Sequence, residues 1–319
     1  MYYIGIDLGG TNIAVGIVDE NCRIVKKGSV PTLAQREPEA IIKDMADLCA
    51  KLIEEAGLTL DDIAYAGIAA PGTANCDTGT IEYANNLPFR NFKIAEILQG
   101  FIPFKKVYVE NDANAAALGE AVAGAAKGTR YAIMITLGTG LGGGIIIDHK
   151  VYSGFNHAGG ELGHMVIEVD GRPCTCGRKG CWEAYSSATA LISMTKEKLI
   201  ANPDKTSTIM WDMVEGDVEK VSGKTAFAAM KKGDKLGAEV VDTYIKYLAS
   251  GITSIINLFQ PEILCIGGGI CNEGDYLIKP LVAQVNEEQY TRSALKKTEL
   301  KVAALGNDAG IIGAAVLGL

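Results

Sequence analysis

The feature that most constrains the fold of this sequence is a pattern that occurs twice, 129 residues apart. Each copy consists of an apolar run, a turn of glycine and threonine, a second apolar run and a final aspartate. The first copy extends from Asp7 to Asp19, and the second extends from Thr136 to Asp148. Self-similarity at this spacing indicates that a strand–turn–strand unit has been duplicated within the chain.

Along the rest of the chain, apolar runs that predict strands alternate with amphipathic runs that predict helices. The predicted strands lie at 3–7, 12–19, 23–30, 63–69, 106–109 and 262–266, and the predicted helices lie at 40–56, 113–126, 238–258 and 308–317. Asn307 or Asp308 is expected to cap the last helix with its side chain. Segment 73–90 is expected to be rich in loops, and the polar stretch 202–235 supports no structural prediction.

Glycine is over-represented, with 38 residues where average usage predicts about 22 in a chain of this length. Part of the excess lies in short turns, where backbone N–H groups could approach a phosphate because no Cβ obstructs them. These turns are Gly9-Gly10-Thr11, Gly138-Thr139-Gly140 and Gly267-Gly268-Gly269. Taken singly, each turn is explained equally well by a tight hairpin.

Asp7 ends the strand that leads into the first of these turns. A carboxylate beside a phosphate-binding turn commonly holds Mg²⁺, either directly or through water. The alternative is that Asp7 caps its own turn.

Two other phosphate-binding motifs are excluded by their context. The glycines at 138, 140 and 143 match G-x-G-x-x-G, but the residues that follow, 144–148, predict a strand where a dinucleotide-binding motif requires a helix. Gly223-Lys224-Thr225 is similar to the end of a P-loop, but Val218 stands where that motif requires glycine.

The charge and the apolar runs exclude further classes of protein. The formal net charge of −8 argues against nucleic acid as a partner, because such binding relies on clustered Lys and Arg. No apolar run reaches the 18 or so residues that cross a bilayer, and the N-terminus lacks the pattern of a signal peptide. A cytoplasmic protein with reduced thiols is therefore expected.

Three cysteines within eight residues, with a histidine ten residues earlier, form a set of metal ligands. Cys174, Cys176, Cys181 and His164 would complete a tetrahedral Cys₃His site of the structural zinc type. A disulfide or three buried thiols are the alternatives. The remaining cysteines lie in apolar or turn contexts and are expected to be core or incidental residues.

Polar residues that suit sugar hydroxyls occur near these features. Asn111 and Asp112 stand between a predicted strand and a predicted helix, where α/β proteins bind ligands. Glu161 and Glu183 flank the predicted metal ligands, which would draw them together. Taken alone, Asp112 could simply cap its helix, and the glutamates could be solvated.

In combination, these motifs closely resemble those of the ROK-family sugar kinases, and among these the bacterial glucokinases most. The resemblance rests on Asp7-x-Gly-Gly-Thr11, Glu110-Asn-Asp-Ala-Asn114, Gly159-Gly-Glu-Leu-Gly-His164, Cys174-x-Cys-Gly-x-x-Gly-Cys-x-Glu183 and Gly267–Gly269. It spans nearly the whole chain and implies an α/β, duplicated, actin-like ATPase (ribonuclease H-like) fold with two domains around a central cleft. The implied domains are residues 1–112, with a C-terminal helix at about 306–319 packing back on them, and residues 113–305.

The resemblance also implies roles for individual residues. Asp112 would be the base that takes the proton of the sugar 6-hydroxyl, and ATP with Mg²⁺ would be the phosphate donor. The other sugar hydroxyls would be held by Gly72, Asn86, Asn111, Glu161, His164 and Glu183. The nucleotide would be held by Asp7, Gly9, Gly10, Thr11, Asn12, Gly138, Thr139, Gly140, Gly267, Gly268 and Gly269. His164 would serve both the zinc and the sugar, and a homodimer is expected.

Three questions stay open at the level of sequence: the sugar, the phosphate donor and the class of protein. Kinases for glucose, N-acetylmannosamine, N-acetylglucosamine, mannose, fructose and allose share these motifs, and polyphosphate could replace ATP. A sugar-sensing regulator without catalysis is the alternative from another class. ROK repressors carry an N-terminal helix-turn-helix, for which the position of Asp7 leaves no room in this sequence.

Overall fold

The computed structural model of the protein describes residues 1–202 and 204–319. The strands are β1 (Tyr2–Leu8), β2 (Asn12–Asp19), β3 (Ile24–Pro31), β4 (Ile63–Ala70), β5 (Thr73–Asn75), β6 (Thr80–Tyr83), β7 (Arg90–Phe92), β8 (Val107–Asn111), β9 (Tyr131–Leu137), β10 (Leu141–Ile147), β11 (Lys150–Val151), β12 (Ile263–Gly267) and β13 (Glu299–Val302). The helices are α1 (Pro38–Glu55), α2 (Ile94–Phe101), α3 (Asp112–Ala123), α4 (Glu183–Ser186), α5 (Ala188–Ala201), α6 (Met210–Met213), α7 (Thr225–Lys231), α8 (Lys235–Phe259), α9 (Asp275–Glu288) and α10 (Ala309–Ala315).

The duplication predicted from the sequence is confirmed by the two five-stranded sheets. The first sheet has the order β3-β2-β1-β4-β8, and the second has the equivalent order β11-β10-β9-β12-β13. In each sheet the two strands at one edge are antiparallel, β2 with β3 and β10 with β11. At the opposite edge they are parallel, β4 with β8 and β12 with β13. The two halves of the pattern therefore build the same topology.

The first sheet is covered on both faces, which explains why β1 and β4 are almost wholly apolar. On one face, α1 buries Ile41, Met45, Leu48 and Leu52, the residues at helical spacing in the sequence. On the other face, α10 approaches so closely that a Cβ added at Gly5 would lie 1.9 Å from the Ile311 carbonyl oxygen. Glycine in β1 is thus a requirement of helix-on-sheet packing.

The chain divides into two compact units. Unit one comprises residues 1–134, 143–160 and 303–319, and unit two comprises residues 135–142 and 161–302. Across the described residues, which omit only position 203, no helix has both the length and the apolar character needed to cross a membrane.

Segment 73–90, predicted to be rich in loops, has loops at 76–79 and 84–89 but also contributes to a three-stranded antiparallel sheet, β5-β6-β7, that the sequence did not predict. Its strands contain only three or four residues each, too few for an alternating pattern to stand out in the sequence. Buried Leu87 and Phe89 anchor the connection between β6 and β7, while Asn86, just before Leu87, is exposed.

The C-terminal helix is where it was predicted, but its predicted side-chain cap is wrong. Asp308 precedes α10 and makes no side-chain capping hydrogen bond. Its carboxylate instead accepts from the Lys27 ammonium, with Nζ 2.7 Å from Oδ1. A charged partner on β3 competes successfully with the backbone N–H groups of the helix. The polar stretch 202–235 contains α6 and α7, and its residue 203 lies outside the described residues.

A buried carboxylate attaches the C-terminal segment to α3, the helix that begins at Asp112. Glu120 is fully buried, and its oxygens accept hydrogen bonds from the backbone N–H groups of Ala125 (2.7 Å), Ala304 (3.1 Å) and Leu305 (2.8 Å). The glutamate therefore satisfies three backbone donors that no secondary structure satisfies.

We expect the substitution Glu120→Ala to lower the free energy of unfolding by roughly 3 kcal/mol or more, because each buried donor left unpaired costs about 1–3 kcal/mol. Urea denaturation followed by circular dichroism measures this change. The control is Glu96→Ala, which removes an exposed carboxylate on α2 and is expected to change stability by less than about 0.5 kcal/mol. Equal stability of the two variants would show that water replaces the buried carboxylate.

Candidate functional site

The first glycine turn joins β1 to β2 and is closed by a hydrogen bond from the Gly9 N–H to the Asn12 carbonyl oxygen, at 2.9 Å. Thr32, which is fully buried, stabilises the turn through two hydrogen bonds. Its hydroxyl donates to the Gly9 carbonyl (2.7 Å), and its N–H donates to the Thr11 carbonyl (2.8 Å). Sequence reasoning missed Thr32, because it lies beyond β3 and meets the turn only in the folded chain.

The same turn lies next to the connection that carries Asn86. A Cβ added at Gly10 would be 3.5 Å from the Cβ of Asn86. One residue predicted for phosphate and one predicted for sugar are therefore neighbours in unit one.

The side chains at the junction of β8 and α3 form a second part of the site. Asn111 is the N-cap of α3, and its Oδ1 accepts from the N–H groups of Ala113 (2.9 Å) and Asn114 (3.2 Å). The Asn111 Nδ2 donates to the Gly72 carbonyl at 3.1 Å. Asp112 follows as the first helical residue, and its Oδ1 accepts from the Ala113 N–H at 2.9 Å. The prediction that a helix opens at Asn111 and Asp112 is confirmed.

Strand register explains why Asp7 and Asp112 are close enough to interact. Asp7 in β1 pairs with Ala69 in β4, which in turn pairs with Glu110 in β8. Asp112 comes two residues after Glu110, so both aspartates lie at the carboxyl ends of parallel strands, where α/β proteins place ligands.

Burial perturbs both carboxyl groups. Burial, and then the neighbouring charge of Asp112, raise the pKa of Asp7 to about 6. Burial also raises the pKa of Asp112, although hydrogen bonds from the Ala113 N–H, from its own backbone N–H and from the Asn111 side chain oppose the rise. Two partly buried carboxylates that repel each other favour a cation beside them, and a raised pKa suits a group that accepts a proton.

The raised pKa of Asp7 predicts that stability falls as this group ionises. Between pH 4 and pH 6 the folded protein retains a proton that the unfolded chain has lost, so rising pH destabilises the fold. Across this range we expect the free energy of unfolding of the wild type to fall by up to about 3 kcal/mol relative to that of Asp7→Asn. Above about pH 7 it should fall no further. Denaturant midpoints of both proteins from pH 4 to pH 8 measure this difference. A constant difference at all pH values would contradict the assignment.

Glu110 lies behind the Asn111–Asp112 junction and is buried. Its carboxylate accepts from the Asn111 N–H (2.8 Å), from the Asn114 Nδ2 (3.0 Å) and from the Cys76 thiol (3.2 Å). Burial, followed by the charge of Glu110, raises the pKa of the Cys76 thiol, which keeps it a donor. These bonds fix the start of α3, a role that sequence reasoning did not assign to Glu110.

The segment before His164 needs its glycines for close packing. A Cβ added at Gly159 would lie 2.8 Å from the carbonyl carbon of Ser153, and Gly160 has a φ of +92°. Glu161 then precedes a short 3₁₀ turn of unit two that ends at His164, and the His164 N–H donates to the Glu161 carbonyl at 3.1 Å.

The four predicted metal ligands come together in unit two. One donor atom from each of His164, Cys174, Cys176 and Cys181 lies within 4.8 Å of the others. The Cys176 and Cys181 sulfurs are 3.6 Å apart, and the Cys174 sulfur is 3.7 Å from His164 Nδ1. A tetrahedral ion with bonds of about 2.0–2.3 Å places its ligands roughly 3.5–3.8 Å apart, so this cluster fits one metal ion.

Local backbone geometry allows the short cysteine loop to fold around this point. Gly177 and Gly180 have positive φ values of +89° and +77°. A Cβ at Gly180 would lie 1.7 Å from the Glu168 carbonyl oxygen, so only glycine fits. Hydrogen bonding from the Arg178 N–H lowers the pKa of the Cys176 thiol, whereas burial raises the pKa of the Cys174 and Cys181 thiols. A bound metal ion would be needed to hold all three as thiolates. All eight cysteines are free thiols.

The second and third glycine turns meet in unit two. Gly268 has a φ of +106°, and a Cβ there would lie 2.2 Å from the carbonyl oxygen of Leu137, the residue before the second turn. Glu183 contacts this second turn as well, since its Oε2 accepts from the Leu141 N–H at 2.9 Å.

The predicted site residues thus form two groups. Unit one brings together Asp7, Gly9, Gly10, Thr11, Asn12, Gly72, Asn86, Asn111 and Asp112. Unit two contains Gly138, Thr139, Gly140, Glu161, His164, Cys174, Cys176, Cys181, Glu183, Gly267, Gly268 and Gly269.

Comparison with known proteins adds independent evidence. The family model of the ROK family matches residues 3–319. A glucokinase of Streptomyces coelicolor is 36% identical over 98% of this chain and 96% of its own length. A xylose repressor of Caldicellulosiruptor bescii is 28% identical over 97% of this chain and 76% of the repressor. Among solved structures, a ROK family glucokinase from Streptomyces griseus in complex with glucose and AMPPNP superimposes with a TM-score of 0.81, 33% identity and 99% coverage of both chains.

Proposed function

The chain belongs to the ROK family and has its actin-like fold, and we propose that it transfers the γ-phosphoryl group of ATP to the 6-hydroxyl of a hexose, with glucose as the preferred sugar. The observation that carries the proposal is Asp112, a carboxylate whose pKa is raised by burial, at the start of α3 and beside Asp7. The similar glucokinase with bound glucose and AMPPNP supports both the sugar and the class of phosphate donor.

Asp112 acts as the base in this proposal. As the sugar O6 attacks the γ-phosphorus, the O6–P bond forms and the bond from phosphorus to the leaving ADP oxygen breaks. The O6 proton passes to the Asp112 carboxylate. A base in this position typically contributes 10²–10⁴-fold to the rate. The backbone hydrogen bonds to Asn111 and Glu110 keep Asp112 in place during the transfer.

The nucleotide is assigned to the three glycine turns, whose N–H groups can surround phosphate oxygens. Mg²⁺, when bound, neutralises charge on the phosphates, which dominates catalysis in reactions of this type. Burial and the neighbouring charge of Asp112 raise the pKa of Asp7, and a cation between the two carboxyl groups would offset this repulsion. Asp7 is therefore the residue assigned to hold this ion, directly or through water.

We assign the hydroxyls of the sugar other than O6 to Gly72, Asn86, Asn111, Glu161, His164 and Glu183, as the family resemblance implies.

Zinc is the metal assigned to the Cys₃His cluster, since three thiolates and one imidazole are its typical structural ligands. His164 faces the cluster through Nδ1, which leaves Nε2 for the sugar. A closed four-ligand site orders the loop and takes no part in the chemistry. Thiolate ligands and eight free thiols suit a reducing compartment, so we assign the protein to the cytoplasm. A homodimer is proposed on the family resemblance alone.

A coupled assay for ADP release tests the proposal. Glucose, mannose, fructose, allose, N-acetylglucosamine and N-acetylmannosamine are each offered with MgATP. In parallel they are offered with polyphosphate, which releases no ADP, so in that arm the sugar phosphate itself is measured. Turnover with glucose and ATP, and a lower kcat/KM for every other sugar, is the expected result. Sugar binding without turnover of any of these sugars would instead identify a non-catalytic sugar sensor.

A further inference from the structure

A short segment of unit two connects the metal cluster to the second glycine turn. We call residues 183–189 the linking segment; it begins two residues after Cys181, the last metal ligand. Its hydrogen bonds to the turn are Leu141 N–H to Glu183 Oε2 (2.9 Å), Ala188 N–H to the Gly138 carbonyl (2.9 Å) and Thr189 Oγ1–H to the Thr139 carbonyl (2.8 Å). Three of the four residues at 138–141 are therefore bound by this one segment.

The other end of the linking segment is fixed to the metal cluster and to the core. Glu183 Oε1 lies 3.5 Å from the Thr175 hydroxyl and 3.7 Å from the Cys174 sulfur. Trp182, just before the segment, is fully buried, and its indole N–H donates to the Tyr247 carbonyl at 3.0 Å. Because Glu183 also follows the ligand Cys181 by two residues, a movement of the cysteine loop reaches Glu183 through the backbone as well as through its contact with Thr175.

The bonds to carbonyl oxygens also set the direction of the N–H groups in the turn. In a trans peptide the C=O and the N–H of the next residue point to opposite sides. Because the linking segment binds the carbonyls of Gly138 and Thr139, it directs the N–H groups of Thr139 and Gly140 away from itself. A turn held in this way presents its donors as a preformed anion site.

We propose that Glu183 and Thr189 are positioning residues for the second glycine turn, and that the metal cluster orders this nucleotide-binding turn through them. The inference rests on the proposed function for its assignment of the turn to the nucleotide. It adds a second task for Glu183 and a task for Thr189, which sequence reasoning did not single out. Loss of the metal then weakens nucleotide binding as well as sugar binding.

The close contact between Glu183 and the second glycine turn explains why residue 140 is glycine. A Cβ added at Gly140 would lie 2.4 Å from Glu183 Oε2, so the carboxylate and a side chain at this position exclude each other. The glycine therefore allows the link from the metal loop to reach the Leu141 N–H.

Amide hydrogen exchange in the ligand-free protein tests the link without relying on any activity. The exchange of residues 138–142 is compared in the zinc-loaded protein, in the same protein after chelator treatment and in the variants Glu183→Ala and Thr189→Val. We expect at least about tenfold faster exchange in this segment for the metal-free protein and for Glu183→Ala. The substitution removes the carboxylate that accepts the Leu141 N–H, and loss of the metal removes the ordered loop that holds this carboxylate. The matched control is Thr243→Val, which removes an exposed hydroxyl bonded to the Glu239 carbonyl within α8.

Calorimetry with AMPPNP and with glucose provides the second measurement. Thr189→Val is expected to raise the Kd of AMPPNP about fivefold while the Kd of glucose stays constant, as the loss of one hydrogen bond of about 1 kcal/mol implies. Chelation is expected to raise the Kd of AMPPNP in the wild type by more than it does in Glu183→Ala. Unchanged exchange at 138–142 after chelation would overturn the inference. Faster exchange together with no binding of AMPPNP would confirm the structural link and refute the assignment of the turn to a nucleotide.

Discussion

Asp112→Asn is expected to lower kcat by at least about 10²-fold and to leave the Kd of glucose within about threefold of the wild type. Asparagine keeps the shape of the side chain, and its Oδ1 can still accept the Ala113 N–H that Asp112 accepts at 2.9 Å. It cannot accept the proton of O6 at neutral pH. The variant therefore loses the base and keeps the site around it.

Steady-state assays with glucose and MgATP, with calorimetry for glucose binding, measure the two quantities separately. Because burial raises the pKa of Asp112, the wild-type kcat is also expected to fall on the acid side as this group becomes protonated. The control is Asp61→Asn, which changes an almost fully exposed carboxylate near Lys105 and is expected to leave kcat unchanged. Normal turnover by Asp112→Asn would show that another group takes the proton.

Local patterns in the sequence were sufficient to predict the parts of the site that lie close together in the chain. The repeated strand–turn–strand unit is confirmed by two sheets of equivalent order. The helix predicted after Asn111 and Asp112 is confirmed, because an N-cap acts within its own turn. The second glycine turn leads into β10, which confirms that it is no dinucleotide-binding motif.

Contacts between distant parts of the chain could not be predicted in the same way. Thr32 and Thr189 each support a glycine turn with a hydroxyl bond, across 23 and 50 residues respectively. The predicted cap of α10 is wrong for a related reason. Lys27, 281 residues earlier, offers Asp308 a charged partner in place of the helix N–H groups. A propensity for capping is local, whereas the competing ion pair exists only once the sheet and the helix are assembled.

Cys176→Ser is expected to reduce bound zinc to well below one ion per chain and to raise the Kd of glucose by about tenfold or more. A serine hydroxyl is a poor ligand for zinc, and the three remaining ligands leave the tetrahedral site incomplete. Glu183 contacts Cys174 and Thr175 directly, and Glu161 lies three residues before the ligand His164. An unordered loop therefore misplaces both carboxylates proposed for the sugar.

Elemental analysis after gel filtration, and calorimetry with glucose, measure the two effects on the same sample. The matched control is Cys22→Ser, in which a free thiol in the turn between β2 and β3 is replaced, and it is expected to keep about one metal ion and the wild-type affinity. If the bound metal orders the loop that carries its ligands, losing the metal should loosen that loop. The Cys176→Ser protein should therefore also show faster backbone amide exchange at residues 174–183. If the metal-free protein binds glucose with wild-type affinity, the metal cluster does not position the sugar-binding carboxylates. Its role would then be purely structural.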